Sequence, residues 1–139
     1  MATKPLDALA GSPLFAQLTP RDLRRVARAT HEYDYEDGAA VVRQDSPSDS
    51  FFVIMDGTAK VTRGGRTVRR MGPGDFFGEI GLLDGGARTA SVVAEGPLKV
   101  LVLPRREFRQ LMTKEPTVAY RILSGAAKRL RQIESPASH

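Results

Sequence analysis

Between Phe76 and Val92 the chain reads FFGEIGLLDGGARTASV, and this stretch sets Glu79 and Arg88 among small residues between two apolar runs. Gly78-Glu79-Ile80-Gly81-Leu82-Leu83 has the make-up of one short helical turn, whose free backbone N–H groups favour an anion in front of them. Gly81 lets a ligand approach the backbone closely. Asp84-Gly85-Gly86 then reverses the chain and returns Arg88 towards that turn. The expected product is a small pocket flanked by a carboxylate and a guanidinium. A guanidinium suits bidentate binding of a phosphodiester, and a hydrogen bond to a charged group contributes about 1.5–3 kcal/mol. A carboxylate beside a phosphate cradle is unfavourable unless it accepts from a donor. Vicinal ribose hydroxyls are such donors, so the pair argues for a nucleotide over a bare phosphate. The bland alternative is that Glu79 caps a backbone N–H or pairs with Arg88. Thr89 and Ser91 are expected on one face of the following strand, with Ala90 and Val92 on the other. Either hydroxyl can meet a ligand, or both are ordinary strand residues.

The elements that must hold this cassette follow from the periodicity. Leu6, Leu9, Leu14, Phe15 and Leu18 form an apolar lead-in broken at Gly11-Ser12-Pro13. Thr19-Pro20-Arg21-Asp22 is a helix start, with the cap, the proline and the acid three residues after the cap in place. Leu23, Val26 and Ala27 are its buried stripe, and the helix ends near Thr30. From His31 the period becomes alternating, with strands expected over 31–35, 40–43, 51–55, 59–63, 67–71, 90–94 and 98–103. Many short strands with turn signals between them mean a sandwich or barrel, and Gly64-Gly65 marks a tight hairpin. After Pro104 the pattern returns to helix over 105–113. A longer helix opens at Pro116, with Val118, Ile122, Leu123, Ala126, Leu130 and Ile133 as its apolar stripe.

At 139 residues the chain is one domain. Residues 1–134 are expected to be that domain, with helices over 1–30, strands over 31–104 around the cassette 76–92, and helices over 105–134. Residues 135–139 are expected to be a disordered tail. No apolar run approaches the roughly 20 residues that span a bilayer, and the first residues lack the apolar core of a secretion signal, so a cytoplasmic location is expected. Without cysteine there is no disulfide, thiolate metal site or cysteine catalysis. The net charge of +5 admits an anionic partner. The arginines at 21, 24, 25 and 28, those at 105, 106 and 109, and the cations at 128, 129 and 131 read as solvated helix faces or as a nucleic-acid or acidic-protein surface.

FFGEIGLL followed by Arg88-Thr89-Ala90-Ser91-Val92 resembles the phosphate-binding cassette of the cyclic-nucleotide-binding domain family. The Gly-Glu pair, the nine-residue step from Glu79 to Arg88 and the small-hydroxyl strand carry the resemblance. It extends over nearly the whole chain, with Gly38, Gly57 and Gly74 at turns like the family's own. It implies a mainly β fold, α+β overall: an antiparallel eight-stranded jelly-roll barrel, an N-terminal helical segment and two C-terminal helices. It further implies that Glu79 accepts from the ribose 2'-hydroxyl and that Arg88 holds the equatorial phosphate oxygens. Backbone N–H groups near Gly81, Leu82 and Thr89 complete the cradle, with Gly78, Ile80, Ala90 and Ser91 in the same wall. Val61 and Met71 pack the base or sugar, and the final helix closes over the base through Arg129 and Ile133. For those two, core packing and a solvated face are the alternatives. Ala87 departs from the family, which often has proline there, and leaves the Asp84–Ala87 loop more flexible. Thr89 fits either base, and cAMP is expected ahead of cGMP.

The implied function is a non-enzymatic, regulatory cyclic-nucleotide sensor, with no cofactor beyond its ligand and no catalytic or metal-ligating residue. A protein partner or homodimer is expected, the apolar stripe of the final helix being the contact for a purely structural dimer. A metal-dependent enzyme on a similar barrel needs a histidine cluster, and the chain has His31 and His139 alone. Direct nucleic-acid binding is not expected, because the sequence ends after the final helix without a groove-reading module. The starting Met1 favours a complete small protein over an excised domain of a channel, kinase or transcription factor.

Overall fold

Thr19 and Asp22 cap each other, and the first helix of any length starts there. The Asp22 N–H donates to Thr19 Oγ1 and the Thr19 N–H donates to Asp22 Oδ2, both at 3.2 Å, so two of the helix's free donors are satisfied at once. In the computed structural model, which describes residues 4–47, 49–78 and 86–134 and the backbone alone at 129, 130 and 132–134, this helix is α2 (Pro20–Arg28). Val26 is fully buried, with Leu23 and Ala27 half-buried against the same core. Ahead of it lie α1 (Pro5–Ala10) and a 3-10 turn (Pro13–Phe15) that starts where Ser12 Oγ accepts the Leu14 N–H at 3.3 Å.

The described residues form one antiparallel sheet of six strands: β1 (His31–Tyr35), β2 (Ala40–Val42), β3 (Ser50–Arg63), β4 (Arg66–Met71), β5 (Phe76–Phe77) and β6 (Ser91–Pro104). The order is β1-β6-β3-β4, with β2 paired to β6 and β5 to β3. The mainly β, antiparallel expectation holds, with helices before and after the sheet. The eight-stranded closed barrel is not what these residues form, since the sheet does not close on itself. The runs expected as separate strands over 51–55 and 59–63 are the single strand β3, and those over 90–94 and 98–103 are the single strand β6. The cause is Asp56-Gly57, a bulge in a continuous ladder whose register shifts on both sides of Asp56. Gly57 has φ +91°, and a Cβ there would run into the Pro97 carbonyl oxygen. Only glycine lets the two long strands stay together at that point.

Alternation along β3 divides the core in two. Phe51, Val53 and Met55 face the helices with Leu101, Leu103, Phe15, Val26, Phe108 and Ile122. Phe52, Ile54 and Ala59 face the other way, with Met71, Val92, Val100 and Val102. The helix-side cluster also takes up the C-terminal helices α3 (Arg105–Lys114) and α4 (Pro116–Glu134).

Helix α4 packs through the expected Val118, Ile122 and Ala126 but not through Leu123, and the side chains of Leu130 and Ile133 lie outside the described residues. Val118 and Ile122 are buried, but Leu123 is 64% exposed. The face that packs continues through Gly125, where a Cβ would stand 2.9 Å from the Leu14 carbonyl oxygen and 3.1 Å from that of Pro13. The helix therefore lies directly on the backbone of the 3-10 turn. Arg121 fastens it further, with Nη1 2.5 Å from Asp22 Oδ2, while Arg25 approaches the same carboxylate at 3.7 Å. Burial pushes the Asp22 carboxyl up, but the bonds from Arg121 and Thr19 outweigh burial and hold it below the usual range. Its folded pKa lies below its unfolded one, so the stabilisation is present above the usual carboxylate range and fades as the pH falls through the folded value. Asp22→Ala, which removes both the cap and the pair, is expected to lower stability by about 2 kcal/mol at neutral pH in urea unfolding. The gap to the parent protein should narrow in acid. A gap that stays constant with pH would show that the charge contributes nothing.

Candidate functional site

Arg88 is fixed at both ends. Its backbone N–H donates to the Ser46 carbonyl and its carbonyl accepts from the Asp45 N–H, each at 2.8 Å, and Ala87 pairs with Pro47 in an isolated bridge. The position where proline is replaced by alanine is thus held by a neighbouring strand-like segment, although Asp84 and Gly85 of the same loop lie outside the described residues. The Arg88 side chain is 6% exposed. Nη2 donates to the Ser50 carbonyl at 2.8 Å, and the guanidinium carbon sits 5.5 Å from the centre of the Phe52 ring. Phe52 stacks on Phe77 with centroids 4.8 Å apart and planes 9° from parallel. That stack ends β5 beside Arg88 and brings Gly78 in close. At Gly78 φ is +88°, and a Cβ would lie 2.5 Å from Arg88 Nη1 and 2.6 Å from the Ser50 carbonyl oxygen.

The charge at this point is poorly neutralised. Burial pushes the Arg88 guanidinium below its ordinary pKa, opposed by Asp49, whose carboxylate stands 3.9 Å away with its side chain 87% exposed. Arg88 Nε is buried and has no hydrogen-bond partner among the described residues. A guanidinium stays protonated at any ordinary pH. Among the described residues this buried cation has one donor without a partner and one distant, water-screened carboxylate, a combination chemically suited to an anion.

Of the residues expected from the sequence, Gly78 and Arg88 are brought together. Met71 is buried on the inner face of the sheet and Val61 is half-buried against the same cluster, with Val61 opposite Val92 in the ladder. Thr89 and Ala90 precede β6, so the expected alternation does not reach Thr89. Thr89 is exposed and its carbonyl accepts from Arg63 Nε at 3.2 Å. Ser91 opens the strand and its Oγ accepts the Gln44 N–H at 2.8 Å, which ties β6 to the loop after β2. Glu79, Ile80, Gly81 and Leu82 lie outside the described residues. So do the side chains of Arg129 and Ile133, whose backbones belong to α4.

Three contributors were not legible as such: the Ser50 carbonyl, the Phe52 ring and the Phe77 ring. Asp49 closes a run of turn-forming residues from Asp45, and Ser50 falls between it and the strand expected from residue 51. Only the alternation of Phe51 and Phe52 hinted that one aromatic faces inward.

Residues 32–115 match the family model of the cyclic nucleotide-binding domain. The chain is 33% identical over 129 residues to the cyclic AMP receptor protein of Thermus thermophilus, an alignment covering 89% of this chain and 60% of that protein. It is 37% identical over 106 residues to the cGMP-dependent protein kinase egl-4 of Caenorhabditis briggsae, covering 71% and 14%. It therefore spans less than two thirds of either relative. The crystal structure of the N-terminal domain of a transcriptional regulator from Streptomyces coelicolor superposes with a TM-score of 0.84 at 29% identity, over 91% of this chain and 94% of that one.

The packing at Gly78 generates a paired prediction. Gly64 also has positive φ, but a methyl group placed there would meet nothing within 4 Å, so Gly64→Ala should cost about 1 kcal/mol from backbone strain alone. Gly78→Ala adds the collision with Arg88 and the Ser50 carbonyl and should cost about 2–3 kcal/mol in urea unfolding. Equal losses for the two variants would mean that the tight approach at Gly78 is not a constraint.

Proposed function

Because the chain belongs to the cyclic nucleotide-binding domain family, we propose that it is a non-enzymatic sensor that binds a cyclic nucleotide, cAMP ahead of cGMP, and signals to a protein partner. The single observation that carries this reading is the buried guanidinium of Arg88, whose Nε has no partner and whose charge is under-neutralised among the described residues. A phosphodiester supplies one negative charge and two non-bridging oxygens, which matches one guanidinium better than a dianionic phosphate does. In this reading Glu79 accepts from the ribose 2'-hydroxyl, and backbone N–H groups at Gly81, Leu82 and Thr89 finish the cradle. Gly78 keeps its room for the arginine, Ile80, Ala90 and Ser91 form the wall, and Val61 and Met71 lie beneath the base or sugar.

The final helix closes the site through Arg129 and Ile133. Its first half is held by Asp22–Arg121 and by the seat of Gly125 on the 3-10 turn, which supports closure by the far half alone. The ligand then favours one of two helix positions through its differential affinity for them. Titration calorimetry is expected to give saturable heat with both nucleotides and tighter binding of cAMP. Arg88→Ala should weaken either by at least about tenfold. No heat and no thermal shift with either at millimolar ligand would sink the proposal.

A second reading is a homodimer. Tyr120 and Leu123 are 72% and 64% exposed, and with the exposed Ala127 they stand at the three- and four-residue steps of a helix-pair seam. A second copy crossing α4 there would cover them. Light scattering of the eluting protein is expected to give twice the chain mass, and Leu123→Glu to return it to the monomer. A monomer at every concentration would remove this reading.

A further inference from the structure

A cleft of about 630 Å³ opens between the start of β3 and α3, lined among others by Asp49, Ser50, Arg105, Arg106, Arg109 and Gln110. A second, of about 470 Å³, lies along α3 against α2, and Arg25, Arg28, Arg106, Glu107, Gln110 and Lys114 face it. The two share Arg106 and Gln110, so they form one furrow with a ridge across it. The cations outnumber what opposes them. Glu107 is engaged by His31 at 2.9 Å, and Arg25 is taken by Asp22 and Glu115. Among the described residues Arg28, Arg106, Arg109 and Lys114 enter no ion pair. Arg105 donates its backbone N–H to the Asp49 carbonyl at 2.7 Å, while its Nε is buried without a hydrogen-bond partner among the described residues. No side chain caps the start of α3, so its free N–H groups add to the same positive potential.

We propose that this furrow docks an acidic peptide segment of a protein partner, with carboxylates seated on Arg105, Arg106 and Arg109 in one cleft and on Arg28 and Lys114 in the other. The shape decides between acidic partners. A nucleic-acid duplex presents convex phosphate rails and is met by cations that protrude, whereas these arginines line two hollows, each of a size to accept a few side chains. Guanidinium groups also pair with carboxylates through a planar fork, and spaced carboxylates on an extended segment can enter both hollows across the ridge. Exposed cations outside both clefts stand at Arg66 and Arg69 on β4. They serve as the internal control.

The test is fluorescence anisotropy of the full chain with a short labelled peptide of alternating glutamate and glycine, beside a serine–glycine peptide and a labelled DNA duplex. Saturable binding of the acidic peptide is expected, weakening with added salt. The double variant Arg106→Glu, Arg109→Glu should lose at least about tenfold in affinity, and Arg66→Glu, Arg69→Glu should lose none. Arg106 and Arg109 are exposed, and an unchanged circular-dichroism melt confirms that the variant is folded. Arg106→Ala, with a smaller loss, gives a second reading without a reversed charge. The proposal is overturned if the acidic peptide binds no better than the serine–glycine peptide, if both double variants lose affinity equally, or if the duplex binds more tightly through the same arginines.

Discussion

Taking a guanidinium out of water costs several kcal/mol unless its donors and charge are matched, and Arg88 imposes that demand on everything near it. The described surroundings meet it only in part, through one carbonyl, one aromatic face and one carboxylate at 3.9 Å. Each of these is itself held by something else. The Ser50 carbonyl belongs to the first residue of β3, paired opposite Pro104, and the Phe52 ring is locked by its stack on Phe77. The room for the guanidinium exists because residue 78 has no side chain. Stability alone gives no reason for a fold to bury a cation whose Nε has no partner among the described residues.

The two long strands make that arrangement rigid. β3 and β6 run alongside each other from Ser50–Pro104 to Thr62–Ser91. One ladder therefore carries the anchor of Arg88 near one end and the inner-face residues Val61 and Val92 near the other. The bulge at Asp56–Gly57 bends the ladder without breaking it, at a point where the Pro97 backbone comes too close for any side chain. Two hairpins joined by a loop would leave the ends of the site free to drift. A continuous bent ladder fixes them within the stiffness of the sheet.

Local features were read correctly from sequence because their causes are local. The capping box of α2, the Gly64-Gly65 hairpin and the start of α3 each need only a few neighbouring residues. The merging of four expected strands into two was hidden because Asp-Gly has the same composition in a turn and in a bulge. What distinguishes them is the Pro97 backbone, far along the chain. The α4 stripe failed at Leu123 for a related reason. Three- and four-residue steps from Ile122 lead to Gly125 and Ala126, whereas hydrophobicity favours the adjacent Leu123. The choice is made by the Leu14 carbonyl, against which only a glycine fits. Gly78 and Arg88 were legible as neighbours from the cassette, but the burial of Arg88 was not. Its neighbours act through a backbone carbonyl and ring faces, which leave no trace in residue type.

Among the described residues, β3 links the surroundings of Arg88 to the helices. Successive residues of β3 belong to different cores, Phe51 and Val53 to the helix side and Phe52 and Ile54 to the inner side. Close packing resists small displacements on either side, so a shift of β3 is felt in both clusters. Ser50 stands at the end of this strand, bonded to Arg88, while Phe51 meets Phe15 of the 3-10 turn edge-on at 5.5 Å. That turn is the seat of α4 through Leu14 and Gly125. Packed contacts thus run from Arg88 to the Ser50 carbonyl, from the neighbouring Phe51 to Phe15, and from that turn to the helix. Every link in this short path is packed backbone or ring, so none of its steps can absorb a displacement by swinging a loose side chain aside.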